Sequence, residues 1–592
     1  MILIHLIQEI LTQAFVKAYP SLGLDQENIN NWQADVTRAT AAQFGHYQCN
    51  SAMKLTKRLG ANPREIATQV LSTIKTIDTE NRFEKCEIAG PGFINIWLNQ
   101  AFLEKQINLI LLDPRAGVPN VQTPQKIAID FSSPNTAKEM HVGHLRSTII
   151  GDALARILEF LGHDVLRLNH IGDWGTQFGM LIAYLKQYQP DVAQGKTETD
   201  LSHLMSWYKA AKKTFDENAD FKQTAQKEVV ALQSGEAIAT QIWKIICDIS
   251  QKAYHQIYDY LDVKLIDRGE SFYNPMLADI VQELSDKGFV TVNDGAKCIF
   301  LEGFKNREGE PLPMMLQKSD GGYNYDTTDM AAVKHRINIE HCNRLIYVTD
   351  SGQSTHFAML FAAAKKVGYA NEHIRLDHVP FGLVLGPDGK KYKTRSGDTE
   401  KLMDLLSEGV VRAKNILLER NKAEKIFSDS ELDNTAKTIG ISAIKYADLS
   451  GNRIQDYVFE YDKMLKLEGN TAAFLIYAYV RTAGIKRKLS ITDLAAQEQR
   501  GSKINLDHPV ELNLALHLLR FPEIVSEVAE DLFPNRLCEY LFELANCFNQ
   551  FFRDCRIIGS EQQSSRLLLS ELTAKTLKLG MSLLGLQTVE KM

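Results

Sequence analysis

The sequence predicts an α/β protein: a parallel sheet broken by an insertion, with a small α+β unit before it and an all-α unit after it. Three observations predict this. The short apolar strand Lys126 to Phe131 passes through a polar loop into the periodic helix Gly143 to Leu161 and out into the strand Val165 to Asn169. Strand, helix and strand in that order form a βαβ unit, whose strands lie parallel and whose ligands sit at their carboxyl ends. The same pattern resumes much later, in the strand Arg344 to Thr349, the helix Gly352 to Val367 and the strand His378 to Leu385. From about residue 405 onward, helical periodicity holds without β-like runs of any length.

In chain order, residues 1–112 alternate helical patterns with short strands and form the α+β unit. Its apolar start, Met1 to Ile10, contains His5, Gln8 and Glu9 and lacks a basic leader or a small-residue cleavage site, so it reads as an amphipathic helix of a cytoplasmic protein. After Gly90-Pro91-Gly92, the strand Phe93 to Leu98 puts Ile94, Ile96 and Leu98 on one face and Phe93, Asn95 and Trp97 on the other. Two aromatics around an amide can stack on unpaired bases, or both faces can lie buried under helices. The Pro-containing stretch Asp113 to Pro124 leads into residues 125–189, the first half of the parallel-sheet unit. Residues 190–320 read as an insertion, helix-rich and highly charged around Tyr188 to Tyr260, then β-leaning in pieces such as Lys297 to Leu301. Residues 321–400 complete the sheet and end in a Gly-rich, basic loop from Gly386 to Gly397; residues 401–592 are the all-α unit.

A chain of 592 residues exceeds what one core organises, in keeping with several packed units. It contains no run of about 18 apolar residues, so no membrane span is expected. The eight cysteines, Cys49, Cys86, Cys247, Cys298, Cys342, Cys538, Cys547 and Cys555, form no C-x-x-C pair. That disfavours a disulfide framework and a zinc site and predicts reduced core thiols. A net charge of −6 gives no global attraction to nucleic acid, so any RNA contact rests on local basic surfaces, and no DNA partner is expected.

The chemistry-bearing segment is Ser132-Ser133-Pro134-Asn135-Thr136-Ala137-Lys138-Glu139-Met140-His141-Val142-Gly143-His144, between the first strand and its helix. His141 and His144, three apart, share the first helical turn, where free backbone N–H groups and the helix dipole favour an anion such as a triphosphate. Imidazole N–H donors there can stabilise charge growing on an α-phosphate, and Gly143 lets a nucleotide approach the backbone. Taken alone, H-x-x-H equally fits structural histidines or two metal ligands. The longer context narrows this. The segment resembles the HIGH signature of class I aminoacyl-tRNA synthetases, with Val142 in place of isoleucine. Ser132 to Asn135, Lys138, the run Leu145 to Asp152 and Gly172-Asp173-Trp174-Gly175-Thr176-Gln177-Phe178-Gly179 resemble the arginyl-tRNA synthetase family in particular. The resemblance implies a Rossmann-type catalytic unit interrupted by a connective insertion, an N-terminal α+β unit and a C-terminal all-α anticodon-binding unit.

A carboxylate attacking ATP places charge on the departing pyrophosphate, which a basic loop must hold. Lys390-Lys391-Tyr392-Lys393-Thr394-Arg395-Ser396-Gly397 resembles the family's KMSKS loop, with Ser396 where the second lysine would stand. The resemblance implies that Lys138 supplies the missing phosphate contact, helped by Lys393 and Arg395, with Lys391 also in the nucleotide-binding set. A solvated charge run is the alternative reading of the same stretch.

A guanidinium is recognised by carboxylates that accept paired N–H bonds. Asp130 and Asp329, taken alone, are ordinary strand-end and helix-cap acids. The resemblance implies that they are the acid pair for an arginine guanidinium. It also implies that Tyr325 packs along the substrate's side chain, while Ser133, Asn135, His144 and Gln353 hold its α-amino and α-carboxylate groups. In the tail, Tyr477 and Arg481 belong to an aromatic run followed by Ile485-Lys486-Arg487-Lys488. Aromatics beside cations suit unstacked bases, and the spacing of Phe474, Tyr477 and Arg481 equally suits one packed helix face. The resemblance implies anticodon reading there and binding of the tRNA D-loop by the N-terminal unit, which turns the Phe93, Asn95 and Trp97 face into a tRNA contact.

The function so implied is arginine–tRNA ligation. The arginine carboxylate attacks the α-phosphorus of Mg-ATP in line, and arginyl-adenylate then gives its arginine to the 3′-terminal adenosine of tRNA(Arg), first at the 2′-hydroxyl. The family also implies that tRNA is needed for efficient activation, that Mg2+ comes with ATP, that no zinc is used, and that the chain is a cytoplasmic monomer. Three rivals remain. A cysteinyl synthetase lacks support from the cysteine pattern, and a small-molecule ligase has no need of the long helical tail. A noncatalytic tRNA-binding relative would have no need of Lys138, His141, His144, Asp130, Asp329 and Gln353.

Overall fold

The computed structural model describes residues 2–22, 32–392, 401–424, 427–489 and 502–592. The first helix, Leu3–Ala18, is amphipathic as expected and buries Leu3, Ile7, Ile10, Leu11, Ala14 and Phe15 along one stripe. It packs on the helix Pro63–Ile77 above an antiparallel sheet of β1 (Val36–Arg38), β2 (Tyr47–Cys49), β3 (Phe83–Ala89) and β4 (Phe93–Leu98). The strand order is β1-β2-β4-β3, so β4 is central. Gly92, at φ 144°, turns β3 into β4; a Cβ there would lie 2.8 Å from the carbonyl oxygen of Pro63, a place only glycine fits.

The central sheet is built from β5 (Lys126–Asp130), β6 (Asp164–Asn169) and β7 (Ile266–Asp267). Beside it, β8 (Thr291–Asn293), β9 (Ala296–Lys305) and β10 (Pro311–Gln317) make a separate antiparallel sheet, and β11 (Arg344–Asp350) and β12 (Arg375–Phe381) complete the central one. Its order is β12-β11-β5-β6-β7, and every pair in it is parallel. Chain direction across the sheet reverses between β5 and β11, so the crevice at their carboxyl ends is the topological switch point where such sheets bind ligands. Asp130, at the end of β5, stands opposite Tyr347 of β11 at that point. The helix Val142–Phe160 is buried almost all round. It lies so close to the sheet that a Cβ on Gly151 would come within 2.2 Å of Phe131.

The helices Thr176–Tyr188, Leu201–Glu217, Ala219–Gln233 and Ala237–Leu261 follow β6, in line with the helix-rich reading of that stretch. One detail differs. β7, which the sequence placed inside the insertion, is an edge strand of the central sheet, pairing Ile266 with Leu168 and Asp267 with Asn169. Two residues are too few to show a period, so nothing in the pattern separates them from a loop. Among the described residues the tail is helical from Leu402–Glu424 to Gln563–Leu583, with one exception of the same kind: Tyr457–Val458 (β14) pairs with Val384–Leu385 (β13).

Buried polar contacts join these units. Arg146, 1% exposed, donates to the carbonyl of Gly382 (2.7 Å) and pairs with Asp448 of the tail. Glu523 accepts from the backbone of Ile4 and, at 2.6 Å, from the Tyr47 hydroxyl. All eight cysteines are free thiols, six of them buried. Among the described residues no helix is long and apolar enough to cross a membrane.

Candidate active site

The loop from Ser132 to Lys138 leaves β5 at the switch point with Ser132, Ser133 and Ala137 at φ 73°, 49° and 61°. Each left-handed non-glycine residue costs on the order of 1 kcal/mol, and its neighbours must hold it there. The Ser132 N–H donates to Ser147 (2.9 Å), that of Ser133 to the Asn169 side chain (2.9 Å) and that of Ala137 to Ser250 (3.0 Å). The Tyr254 hydroxyl bonds the carbonyls of Asn135 (2.7 Å) and Lys138 (2.8 Å). The loop thereby exposes the side chains of Asn135 and Lys138.

His141 caps the following helix and forms a reciprocal capping box with His144. The N–H of Gly143 donates to His141 Nδ1 and the N–H of His141 to His144 Nδ1, both at 3.1 Å. Since both Nδ1 atoms accept, the neutral rings carry their protons on Nε2. Burial and the nearby charges of Lys391 and Lys138 lower the His141 pKa, and burial with His141 beside it takes His144 down to about 3. The rings, 4.1 Å apart, are neutral Nε2–H donors at a helix N-terminus. A Cβ on Gly143 would press on the His141 ring at 2.9 Å, which is why glycine stands there.

Lys391 is exposed, and its charge reaches His141. Lys393 and Arg395 lie outside the described residues. At Lys401 the chain is again beside the signature: its ammonium pairs with Glu139 at 2.9 Å, and the N–H of Leu402 donates to the carbonyl of Met140.

Beside this basic side lies an acidic one. Asp130, 7% exposed, accepts from Ser133 Oγ (3.0 Å) on one oxygen and from the buried Arg336 guanidinium (2.7 Å) on the other. Asp329 has His356 Nε2 at 2.7 Å from one oxygen and His170 at 3.8 Å from the other. Burial disfavours the charged form of His356, yet its contacts with Asp326 and Asp329 raise its pKa to about 9. Glu270, half-buried, is pushed up to about 8 by desolvation and by the charges of Asp329 and Asp173. The buried hydroxyls of Tyr273 and Tyr347 and the Nδ1 of His170 have no protein hydrogen-bond partner. Tyr325 is 60% exposed with its ring edge-on to His356, and Gln353 is exposed in the turn after β11.

Sequence reasoning missed Arg336, His356, Glu270, Tyr273, Tyr347 and His170. Arg336 had a weak signal, standing seven residues after Asp329 on the same helix face beside an apolar run. Glu270 and Tyr273 come from a 3-10 turn far along the chain and had none.

In the N-terminal unit, Phe93 and Trp97 are half-buried, with the Lys85 ammonium 4.9 Å from the Trp97 ring. Asn95 is 3% exposed, its amide oxygen taken by Gln48 at 2.7 Å. Arg481 lies over the rings of Tyr477 and Phe552 and donates to Asn549 (2.7 Å), while Phe474 packs against Phe542.

Three family models cover nearly the whole chain. One described as "tRNA synthetases class I (R), catalytic domain" matches residues 106–461. The "Arginyl tRNA synthetase N terminal domain" matches residues 2–98, and the "DALR anticodon binding domain" matches residues 475–592. An arginine–tRNA ligase of Protochlamydia amoebophila is 58% identical over 591 residues, covering 100% of both chains. The chain belongs to the arginyl-tRNA synthetase family. Another arginine–tRNA ligase, from Nostoc punctiforme, is 52% identical over 98% of both chains. The arginyl-tRNA synthetase of Plasmodium falciparum superposes with a TM-score of 0.86 at 36% identity, covering 100% of this chain and 99% of that one. That of Thermus thermophilus shares the fold, with a TM-score of 0.78 at 22% identity over 99% and 100% of the two chains. Full-length identity to arginyl-tRNA synthetases removes the cysteinyl and small-ligase alternatives and makes the chain an arginine–tRNA ligase.

Proposed function

We propose that this arginine–tRNA ligase activates arginine across the switch point, with the triphosphate of ATP on the Lys138 and histidine side and the guanidinium on the acidic side. The observation that carries this reading is the pair of neutral Nε2–H donors at a helix N-terminus, beside a pocket of carboxylates and unpartnered tyrosine hydroxyls. The arginine carboxylate attacks the α-phosphorus, and pyrophosphate departs toward Lys138 and Lys391 as the imidazoles stabilise the added charge. Asp130 and Asp329 receive the guanidinium. Tyr325 packs along the substrate's side chain, and Ser133, Asn135, His144 and Gln353 orient its α-amino and carboxylate groups. The tRNA terminal ribose, through its 2′-hydroxyl, then attacks the carbonyl of arginyl-adenylate.

Little proton chemistry falls to side chains, so positioning and charge stabilisation supply most of the acceleration. Among the described residues no group of three or more His, Cys, Asp or Glu is arranged to hold a metal ion. Mg2+ enters this reading as part of Mg-ATP, held by the phosphates. Lys393 and Arg395 belong to the same reading as helpers on the leaving group.

Residues 1–112 bind the tRNA D-loop, with Phe93 and Trp97 as the contact rings, and residues 401–592 read the anticodon, with Tyr477 and Arg481 among the contacts. The chain works as a cytoplasmic monomer and needs tRNA for efficient activation; both points rest on the family resemblance. ATP–pyrophosphate exchange with all amino acids in parallel, with and without tRNA, tests the whole reading. Exchange is expected with arginine alone and to depend on tRNA, and exchange with another amino acid would overturn the substrate assignment.

A further inference from the structure

Each acid of the guanidinium subsite is already held by a cation. Arg336, 1% exposed, meets Asp130 Oδ2 at 2.7 Å, and His356 Nε2 meets Asp329 Oδ2 at the same distance. His356 is itself bridged, its Nδ1 lying 3.3 Å from Asp326 Oδ1 on the turn before Asp329. Neither anchor exhausts its carboxylate, because each oxygen carries two lone pairs. Among the described residues, the other oxygen of Asp329 has only the distant His170.

The neighbourhood explains why such anchors are needed. Burial and the charges of Asp329 and Asp173 push the Glu270 carboxyl up to about 8. Like-charged buried carboxylates give up charge in this way unless a cation offsets it. A guanidinium fork requires paired acceptors held in one orientation, which an unanchored Asp329 would lose.

We propose that His356 is a positioning residue for arginine: bridging Asp326 and Asp329, it fixes the Asp329 carboxylate so that its remaining lone pairs face the guanidinium, as Arg336 does for Asp130. This rests on the reading that Asp329 receives the guanidinium. The charged and titratable groups around the imidazole are Asp326, Asp329 and Tyr325 from the helix Tyr325–Asn338 and His378 from β12, with His170 and Glu270 across Asp329. With its pKa near 9, the imidazole stays charged through neutral pH and loses its proton only in alkaline solution.

Arginine-dependent ATP–pyrophosphate exchange, followed from pH 6.5 to 10 on the full-length protein with tRNA, tests the proposal. In His356→Gln the arginine KM is expected to rise about tenfold, the loss of a charge-assisted bond in favour of a neutral one, with kcat and the ATP KM within about twofold. The wild-type kcat/KM for arginine should fall above about pH 9, where the imidazolium is lost, and the variant should lack that fall. In Asp326→Asn, which leaves both His356 and Asp329 in place, the alkaline fall should move toward neutral pH. This second variant decides the matter if His356→Gln does not fold. Unchanged KM and an unmoved alkaline limb in both variants would overturn the proposal. Asp329→Asn separates the two levels: if it leaves the arginine KM unchanged, the guanidinium reading itself fails. If it raises KM while His356→Gln and Asp326→Asn change nothing, only the role of His356 fails.

Discussion

The two sides of the switch point hold charge by opposite means. On the basic side, exposed lysines and neutral imidazoles stand at a helix N-terminus, with tautomers fixed by backbone N–H groups of a single short segment. On the acidic side, buried or half-buried carboxylates are offset by cations from elsewhere in the chain: Arg336 lies 206 residues after Asp130, and His356 lies 27 residues after Asp329. The first arrangement is local and tolerates solvent. The second is assembled by the fold and stores its specificity in ion pairs that only the complete sheet brings together.

That contrast yields graded tests. The largest effect is expected on the basic side: Lys138→Ala should cut ATP–pyrophosphate exchange by about 100-fold or more, since it removes charge stabilisation of the leaving group. Near-normal exchange would mean that the exposed lysine plays no part. His144→Ala, which removes both an Nε2–H donor and a capping acceptor, should lower kcat by roughly 100-fold in the same assay, while a fall in melting temperature alone would assign the ring to structure.

On the acidic side, Asp329→Asn should act through binding, raising the arginine KM by roughly 10- to 100-fold, equivalent to about 1.5–3 kcal/mol for a charge-assisted bond. Discrimination against lysine should fall in parallel, and an unchanged ratio would break the comparison. A milder effect is expected from Glu270, whose proton is held up to about 8 in the free protein. A bound guanidinium favours the ionised form, so arginine binding should release a proton near neutral pH and the arginine KM should fall as pH rises toward 8. Glu270→Gln should flatten this dependence, and calorimetry in buffers of different ionisation enthalpy would measure the proton directly. The smallest effect is expected from Trp97→Ala, a severalfold rise in the tRNA KM with exchange kinetics unchanged. A tRNA KM that stayed put at physiological salt would return Trp97 to a packing role.

The same contrast explains what could be read from the sequence. The βαβ unit, the return of the sheet at Arg344, the first helix and the helical tail all carry a period long enough to see. That His141 and His144 share one helical turn was legible because they stand three residues apart, whereas the role given to Lys138 comes from the family resemblance. Asp130 and Asp329 were reached through family resemblance, but their anchoring cations were not, since pairing between Asp130 and Arg336 is set by tertiary contact. β7 and β14 escaped for a different reason, because two-residue strands have no alternation to detect. The Phe93, Asn95 and Trp97 face reads from sequence as two aromatics around an amide; with β4 central in its sheet, strands on both sides bury Asn95, while the two rings are half-buried.

The bonds from Glu523 to Ile4 and Tyr47 carry a consequence for biosynthesis. The partners are separated by some 480 to 520 positions, so at ribosomal speed the opening helix and its sheet wait on the order of a minute for the carboxylate that completes their buried edge. During that interval the nascent amino-terminal unit exposes a surface meant for a neighbour not yet made, a state in which chaperones would engage it.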